Sequence, residues 1–303
     1  MNAPLFRRRF LARFFLFPFS FFLLFACVPA KWVAPLTRGE IESANYRARC
    51  PALTKDIPYV ENGDEFQRLD VYGLPRNSLA PVVVFIHGGY FQTGSRTEYA
   101  LLAATLAPLG IVTVLIDYRM YPQVRYPAFC EDAVAALNWV GAHIADYGGD
   151  PTRLFVAGHS AGGTIAADLV VNERFRRQLH FDIRHLRGAI LMSGAYDFGP
   201  GNLLDVKILH EIMGDEANYQ DSQPIHHVRV DAPPLLIVNG DRDTLTSEVQ
   251  AARFAQAMRA AGADVRYAKL VGGDHYSVVI DMTPSVKGPV YTLFRDFVLA
   301  TPQ

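Results

Sequence analysis

Arg153-Leu154-Phe155-Val156-Ala157-Gly158-His159-Ser160-Ala161-Gly162-Gly163 changes character twice within a few residues. Leu154 to Ala157 is a continuous apolar run of the kind carried by a strand buried on both faces. From Ala161 to Val171 the apolar residues take helical spacing. Between them, Gly158-x-Ser160-x-Gly162 sets a serine on a turn so sharp that it must adopt strained dihedrals. The flanking glycines keep the backbones of strand and helix from colliding. A serine presented this way is a candidate nucleophile; an ordinary strand–helix turn with an idle serine is the alternative.

The same alternation runs outward in both directions. Glu65–Tyr72 alternates polar and apolar residues and predicts an antiparallel strand, while Pro81–Ile86 is a continuous run rich in β-branched residues. Ile111–Ile116, Arg153–Ala157, Gly188–Met192, Leu235–Val238 and Val265–Leu270 predict further strands. Helical patterns fall between them at Glu98–Leu109, Pro127–Tyr147, Ala161–Val171 and Ser247–Ala261, with Val290–Leu299 last. Strand following helix following strand requires crossover connections. The expected fold class is therefore α/β, a mostly parallel sheet with helices on both faces.

In such a sheet the chemistry collects beyond the carboxyl ends of the strands. Past Ile86 stand His87-Gly88-Gly89-Tyr90-Phe91; past Val238, Asn239-Gly240-Asp241-Arg242-Asp243; past Leu270, Gly272-Gly273-Asp274-His275. A serine hydroxyl is a weak nucleophile at neutral pH, so it needs a base within hydrogen-bond reach and a carboxylate to orient that base. In sites of this kind the acid and then the histidine follow the serine along the chain. That order selects Asp243 and His275 as candidate catalytic partners of Ser160. Asp241, nearer the strand end, and Asp197, past the Gly188–Met192 strand, are the competing acids; Asp274 reads as a turn residue. Charge developing on a substrate oxygen needs donors. Gly88, Gly89, Tyr90 and Ala161 are the candidate oxyanion-hole residues, the glycines allowing close backbone approach. The sequence holds no Cys-x-x-Cys, His-Glu-x-x-His, dinucleotide-binding or phosphate-cradling motif, and the adjacent His226-His227 cannot share a helix face. Chemistry without a cofactor or metal is the expectation.

Composition narrows the partner. Of 303 residues, 50% are hydrophobic and 19% charged, with 29 basic against 30 acidic side chains. That suits a globular protein and, with no basic block after residue 40, argues against nucleic acid. The average hides residues 1–26, which contain no acid, four arginines (Arg7, Arg8, Arg9, Arg13) and nine of the 20 phenylalanines. A basic stretch followed by the uncharged Phe14–Ala26 has the layout of an export signal. Arg7-Arg8-Arg9-Phe10-Leu11 resembles a twin-arginine signal, and Leu24-Phe25-Ala26-Cys27 resembles a lipobox, in which Cys27 becomes a lipidated N-terminus attached to a membrane. An uncleaved anchor is the alternative. The expected layout is a signal peptide over residues 1–26 directing export to a bacterial envelope or periplasm, an N-terminal extension over 27–59, and a catalytic domain over 60–303. Cys50 and Cys130 are then separate buried thiols or, in an oxidising compartment, a pair.

With these motifs assembled, residues 60–300 resemble an α/β-hydrolase of the esterase/lipase type. The His87-Gly88-Gly89 loop is similar to that of hormone-sensitive-lipase-like esterases and of arylformamidases. Asp117-Tyr118-Arg119-Met120-Tyr121-Pro122-Gln123, Tyr147-Gly148-Gly149-Asp150-Pro151 and the Gly158–Gly163 turn are more particularly similar to isoprenylcysteine methylesterase-like proteins and their bacterial relatives. Tyr90 departs from the lipase-like branch, which has a third glycine there, and so speaks against bulky tertiary-alcohol esters. The resemblance implies the α/β-hydrolase fold, hydrolysis of small to medium carboxylic esters through an acyl-enzyme, a small-molecule ester as partner and no cofactor. It also implies a small helical cap inserted over residues 199–230, where Leu203–Met213 has helical spacing. With Tyr90, Phe91 and Tyr121 this insertion would line the substrate site, ordinary core packing of each aromatic being the alternative. An arylformamidase or other amide hydrolase uses the same triad, and a catalytically silent hydrolase fold used for binding is the alternative outside enzymes.

Overall fold

In the computed structural model, which describes residues 52–198 and 206–300, the seven predicted runs and one further segment form the eight strands of one sheet. They are β1 (Leu53–Pro58), β2 (Arg68–Tyr72), β3 (Ala80–Ile86), β4 (Val112–Ile116), β5 (Gly149–His159), β6 (Leu186–Met192), β7 (Leu235–Gly240) and β8 (Val265–Leu270), in the order β1-β2-β4-β3-β5-β6-β7-β8. β2 runs antiparallel to both β1 and β4. From β4 through β8 every pairing is parallel. The crossovers carry α1 (Ala100–Leu106), α2 (Ala128–His143), α3 (Ala161–Val171), α4 (Val206–Met213), α5 (Glu216–Asp221), α6 (Glu248–Ala260) and, at the end, α7 (Pro289–Ala300). All described residues belong to one compact unit, Glu42–Gln303.

Because side chains alternate across a strand, β3 feeds two cores. Val82, Val84 and Ile86 pack with Val134 and Leu137 of α2, Ile165 and Leu169 of α3 and Phe254 of α6. Val83 and Phe85 face Leu102 and Leu106 of α1 and Phe294 and Val298 of α7. Each such fully buried side chain contributes about 1.5–3 kcal/mol relative to exposure. α3 is buried along its whole length, which explains its run of Ala, Gly and Val without a polar stripe.

One sequence expectation meets a different outcome here. Leu53–Pro58, inside the segment expected as an N-terminal extension, is the first strand of the sheet. Its register slips between Thr54 and Ile57, Asp56 takes a φ of 57°, and three successive side chains face solvent, so no period of two survives to be read. Of the two cysteines weighed as a pair, Cys130 is a free, buried thiol and Cys50 lies outside the described residues. The stretch expected as an export signal and Cys27 also lie outside them, as do residues 199–205 of the expected cap insertion. Within that insertion α4 is present, with Leu209, Ile212 and Met213 buried in the larger core, and the Tyr126 N–H donates to the Ile212 carbonyl at 3.2 Å. His226 and His227 sit on a single turn, Pro224–His227. Among the described residues no three His, Cys, Asp or Glu side chains gather in a way that would hold a metal ion.

Candidate active site

β5 ends at His159 and α3 begins at Ala161, which leaves Ser160 alone on the turn at φ 55°, ψ −122°. A non-glycine residue takes that conformation only under strain that its surroundings enforce. Here the Ser160 N–H donates to the Met192 carbonyl at 2.9 Å, and its own carbonyl accepts the Thr164 N–H at 3.1 Å. A Cβ on Gly158 would stand 2.1 Å from the Gly162 carbonyl oxygen, and one on Gly162 would stand 2.1 Å from that of Ile86. Only glycine fits at either position. The strand–turn–helix therefore holds the serine outward at the carboxyl edge of the sheet, beside the end of β3.

The loops after β7 and β8 bring a carboxylate and an imidazole together. His275 Nδ1 lies 2.9 Å from Asp243 Oδ2, and both residues are buried. Asp243 Oδ1 accepts the N–H groups of Leu245 and Thr246 at 2.9 Å each, and the Thr246 hydroxyl lies 2.9 Å from Oδ2. Burial alone would raise the Asp243 pKa; the bond to His275, its charge and the Thr246 donors outweigh that and hold it below the usual carboxylate value. An ionised carboxylate only accepts, so Nδ1 carries the proton and Nε2 of the neutral ring is left as the acceptor. The competing acids are engaged elsewhere. Asp241 accepts the Gly272 N–H at 2.7 Å on an exposed turn, and Asp197 pairs with Arg253. Asp274 accepts the N–H groups of Tyr276 and Ser277, the turn role expected of it.

The loop after β3 turns through three left-handed residues in succession, Gly89 (φ 127°), Tyr90 (φ 60°) and Phe91 (φ 60°). Its tightness is visible at Gly89, where a Cβ would stand 1.9 Å from the Thr93 carbonyl oxygen. Gly88 lies against the serine, since a Cβ there would be 3.0 Å from Ser160 Cβ. Gly88, expected in the oxyanion hole beside Gly89, Tyr90 and Ala161, does not turn its amide into it. The Gly88 N–H donates to the buried Tyr99 hydroxyl at 3.1 Å, so Gly88 lines the site but its amide is committed behind it. The N–H groups of Gly89 and Ala161 meet no acceptor among the described residues. They remain available to a ligand oxygen.

Two clusters around the site join residues that no sequence motif links. Arg96, in the tail of the same loop, donates from Nε to Asp70 at 2.9 Å and also pairs with Asp117 and Asp56, tying the loop to β1, to the middle of β2 and to the residue after β4. Tyr99 Oη lies 2.9 Å from His159 Nδ1, and His159 Nε2 lies 2.9 Å from the His275 carbonyl oxygen. These partners are separated by 21 to 116 residues, so no local pattern marks them.

A mixed sheet with this strand order, a strained serine on a glycine-flanked elbow and a buried histidine–aspartate pair define an α/β-hydrolase. Residues 83–278 match the family described as "alpha/beta hydrolase fold", and the chain belongs to it. It is similar to Esterase LipQ of Mycobacterium tuberculosis, 30% identical over 75% of this chain and 58% of that one. It is also similar to a probable isoprenylcysteine alpha-carbonyl methylesterase, ICMEL1, of Arabidopsis thaliana, 28% identical over 87% of this chain and 59% of that one. The chain thus spans somewhat more than half the length of these relatives. Among solved structures it resembles Thermogutta terrifontis esterase 2 phosphoramylated by tabun, with a TM-score of 0.64 and 26% identity over 83% of this chain and 93% of that one.

Proposed function

We propose that the chain is a serine carboxylesterase acting on small to medium carboxylic esters through an acyl-enzyme. The observation that carries this reading is Ser160 in its strained conformation on the elbow, with the buried His275–Asp243 pair on the adjoining loops. In this mechanism His275 Nε2 takes the Ser160 proton as Oγ attacks the ester carbonyl, while Asp243 holds the tautomer and stabilises the imidazolium. The amides of Gly89, Tyr90 and Ala161 receive the oxyanion. His275 then returns the proton to the departing alcohol, and water repeats the sequence on the acyl-enzyme. The names of the relatives support an ester substrate. So does the phosphoramylation of the Thermogutta esterase by tabun, the behaviour of an activated nucleophile.

The test is labelling of Ser160 by a fluorophosphonate together with hydrolysis of short p-nitrophenyl esters. Ser160→Ala should abolish the label and lower turnover by several orders of magnitude, because the triad acts as a unit. A folded protein that is neither labelled nor active on any activated ester refutes the enzyme reading and leaves a binding role. Faster turnover of formyl-aryl amides than of the esters would replace it with an amidohydrolase. We also propose export with lipid attachment at Cys27. Unchanged processing and membrane association of Cys27→Ala in cells would refute that.

A further inference from the structure

His159 is the variable residue of the Gly-x-Ser-x-Gly turn, and the mechanism above does not use it. It is 3% exposed, yet both its ring nitrogens are engaged. The His275 carbonyl can only accept, so the hydrogen of the neutral ring must sit on Nε2, which donates to that oxygen at 2.9 Å. Nδ1 is then an acceptor, and among the described residues the donor facing it is the Tyr99 hydroxyl at 2.9 Å. The Tyr99 oxygen, having donated its hydrogen, accepts the Gly88 N–H at 3.1 Å. Each bond dictates the direction of the next. The result is a single one-way chain, Gly88 N–H to Tyr99 O–H to His159 to the His275 carbonyl, with every polar atom partnered.

The two ends of this chain are the two parts of the site that must be held in register. Gly88 begins the loop that presents the Gly89 and Tyr90 amides, and His275 is the base. The residue in the middle is covalently joined to Ser160. Protonation of His159 would break the chain, because Nδ1 would become a second donor facing a hydroxyl that already donates to it. Burial, and secondarily the charge of His275, push the His159 pKa down to about 3, so the ring stays neutral over the working range of an esterase. Its neighbours add packing: the His159 ring lies 4.8 Å from that of His275 and 6.1 Å from that of Tyr99.

We infer that His159 and Tyr99 are positioning residues, a buried hydrogen-bonded strut that sets the oxyanion loop and the catalytic histidine at a fixed separation about Ser160. The inference rests on the esterase reading above, and it adds a function for two side chains that never touch substrate. Because oxyanion loop and base are both used in the transition state, loosening the strut should lower kcat and leave ground-state binding nearly unchanged.

The experiment compares Tyr99→Phe, His159→Ala, His159→Gln and the Tyr99→Phe/His159→Ala double variant on a short p-nitrophenyl ester, with melting temperatures measured alongside. Tyr99→Phe keeps the ring and removes only the hydroxyl, so it guards against a His159 variant that fails to fold. It should lower kcat by about 10- to 100-fold, the effect of misplacing a reacting group by about an ångström, with KM within about twofold of the parent. His159→Gln, which can still offer a side-chain N–H to the His275 carbonyl, should recover part of what His159→Ala loses. The double variant should be no slower than His159→Ala alone, since the two side chains act as one strut. Overturning results are a kcat within about twofold of the parent in Tyr99→Phe and His159→Ala, fully multiplicative losses in the double variant, or a loss that rises in KM instead of kcat. Failure of the parent protein itself to take the fluorophosphonate at Ser160 would instead remove the esterase reading beneath it.

Discussion

Asp243→Asn exchanges one oxygen for an NH2 group, and the surrounding bonds dictate which one. Two backbone N–H groups, of Leu245 and Thr246, point at Oδ1 at 2.9 Å, so the amide oxygen must occupy that place. The NH2 group then replaces Oδ2, 2.9 Å from His275 Nδ1. A donor now faces Nδ1, the ring shifts its hydrogen to Nε2, and Nε2 can no longer accept the Ser160 proton. The fold can absorb the change: the Thr246 hydroxyl, now facing a donor, has the Ser193 carbonyl at 2.8 Å as its alternative acceptor. The stability loss should therefore stay near 1 kcal/mol, about 2–4 °C in melting temperature. Activity should fall by about a thousand- to ten-thousand-fold, as a wrong tautomer does in a serine triad, equivalent to about 4–5.5 kcal/mol of transition-state stabilisation. The assay is kcat on a p-nitrophenyl ester at neutral pH, with Asp241→Asn as a control expected to stay within about twofold. A variant that keeps more than a tenth of the parent kcat, or an Asp241→Asn that loses as much, would refute the assignment of the acid.

Further outcomes concern the frame around the site. Gly162→Ala places a Cβ 2.1 Å from the Ile86 oxygen and 2.5 Å from the His87 oxygen, both backbone atoms at the root of the oxyanion loop; it should cost about 1–3 kcal/mol in urea unfolding and about 100-fold in kcat, and a neutral result would mean that the elbow is looser than drawn. Arg96→Met leaves Asp70 and Asp117 buried without their guanidinium; calorimetry should show a loss of about 3–5 kcal/mol, and a loss below about 1 kcal/mol would show the cluster to be ornamental. The buried His159, with its pKa near 3, takes up a proton on unfolding at any pH between about 3 and 6.5. Its contribution to stability is therefore complete above about pH 6.5 and declines by up to about 1.4 kcal/mol per pH unit on acidification. His87, lowered by burial in the same direction, adds to the slope, and the contribution of Asp243, with its depressed pKa, is lost only as the pH falls below about 4. Asp168, buried and held well above the usual carboxylate value, works in the opposite direction, so the check is a difference: between pH 7 and 5 the unfolding free energy of His159→Gln should rise with pH less steeply than the parent's by about one proton, and equal slopes would refute it.

Much of the architecture was legible because it is written in local periodicity. Seven of the strands fall on the predicted runs, six of them with residues buried on one or both faces, and α3 begins and ends where its pattern does. β1 was not legible. Its bulge at Asp56 and its exposed Thr54, Lys55 and Asp56 erase the alternation, and what makes it a strand is pairing with β2 across the intervening turn. Around the site, Ser160, Asp243 and His275 were readable from residue type, chain order and position after a strand. The strut through Tyr99 and His159 was not, because tyrosine in a helical turn and histidine beside a serine carry no signal until burial forces their polar atoms to find partners.

The sequence by itself determined the sheet-and-crossover class and the serine elbow, since both follow from forces acting between near neighbours: side-chain periodicity and the clash that any Cβ at Gly158 or Gly162 would cause. Only the tertiary structure put Asp243, and not Asp241 two residues before it, against His275, and only it showed that the Gly88 amide points to the Tyr99 hydroxyl. In both cases the direction of a polar group was at stake. That direction is set by the requirement that buried donors and acceptors be satisfied by residues distant in the chain, a condition that does not exist until the chain has folded.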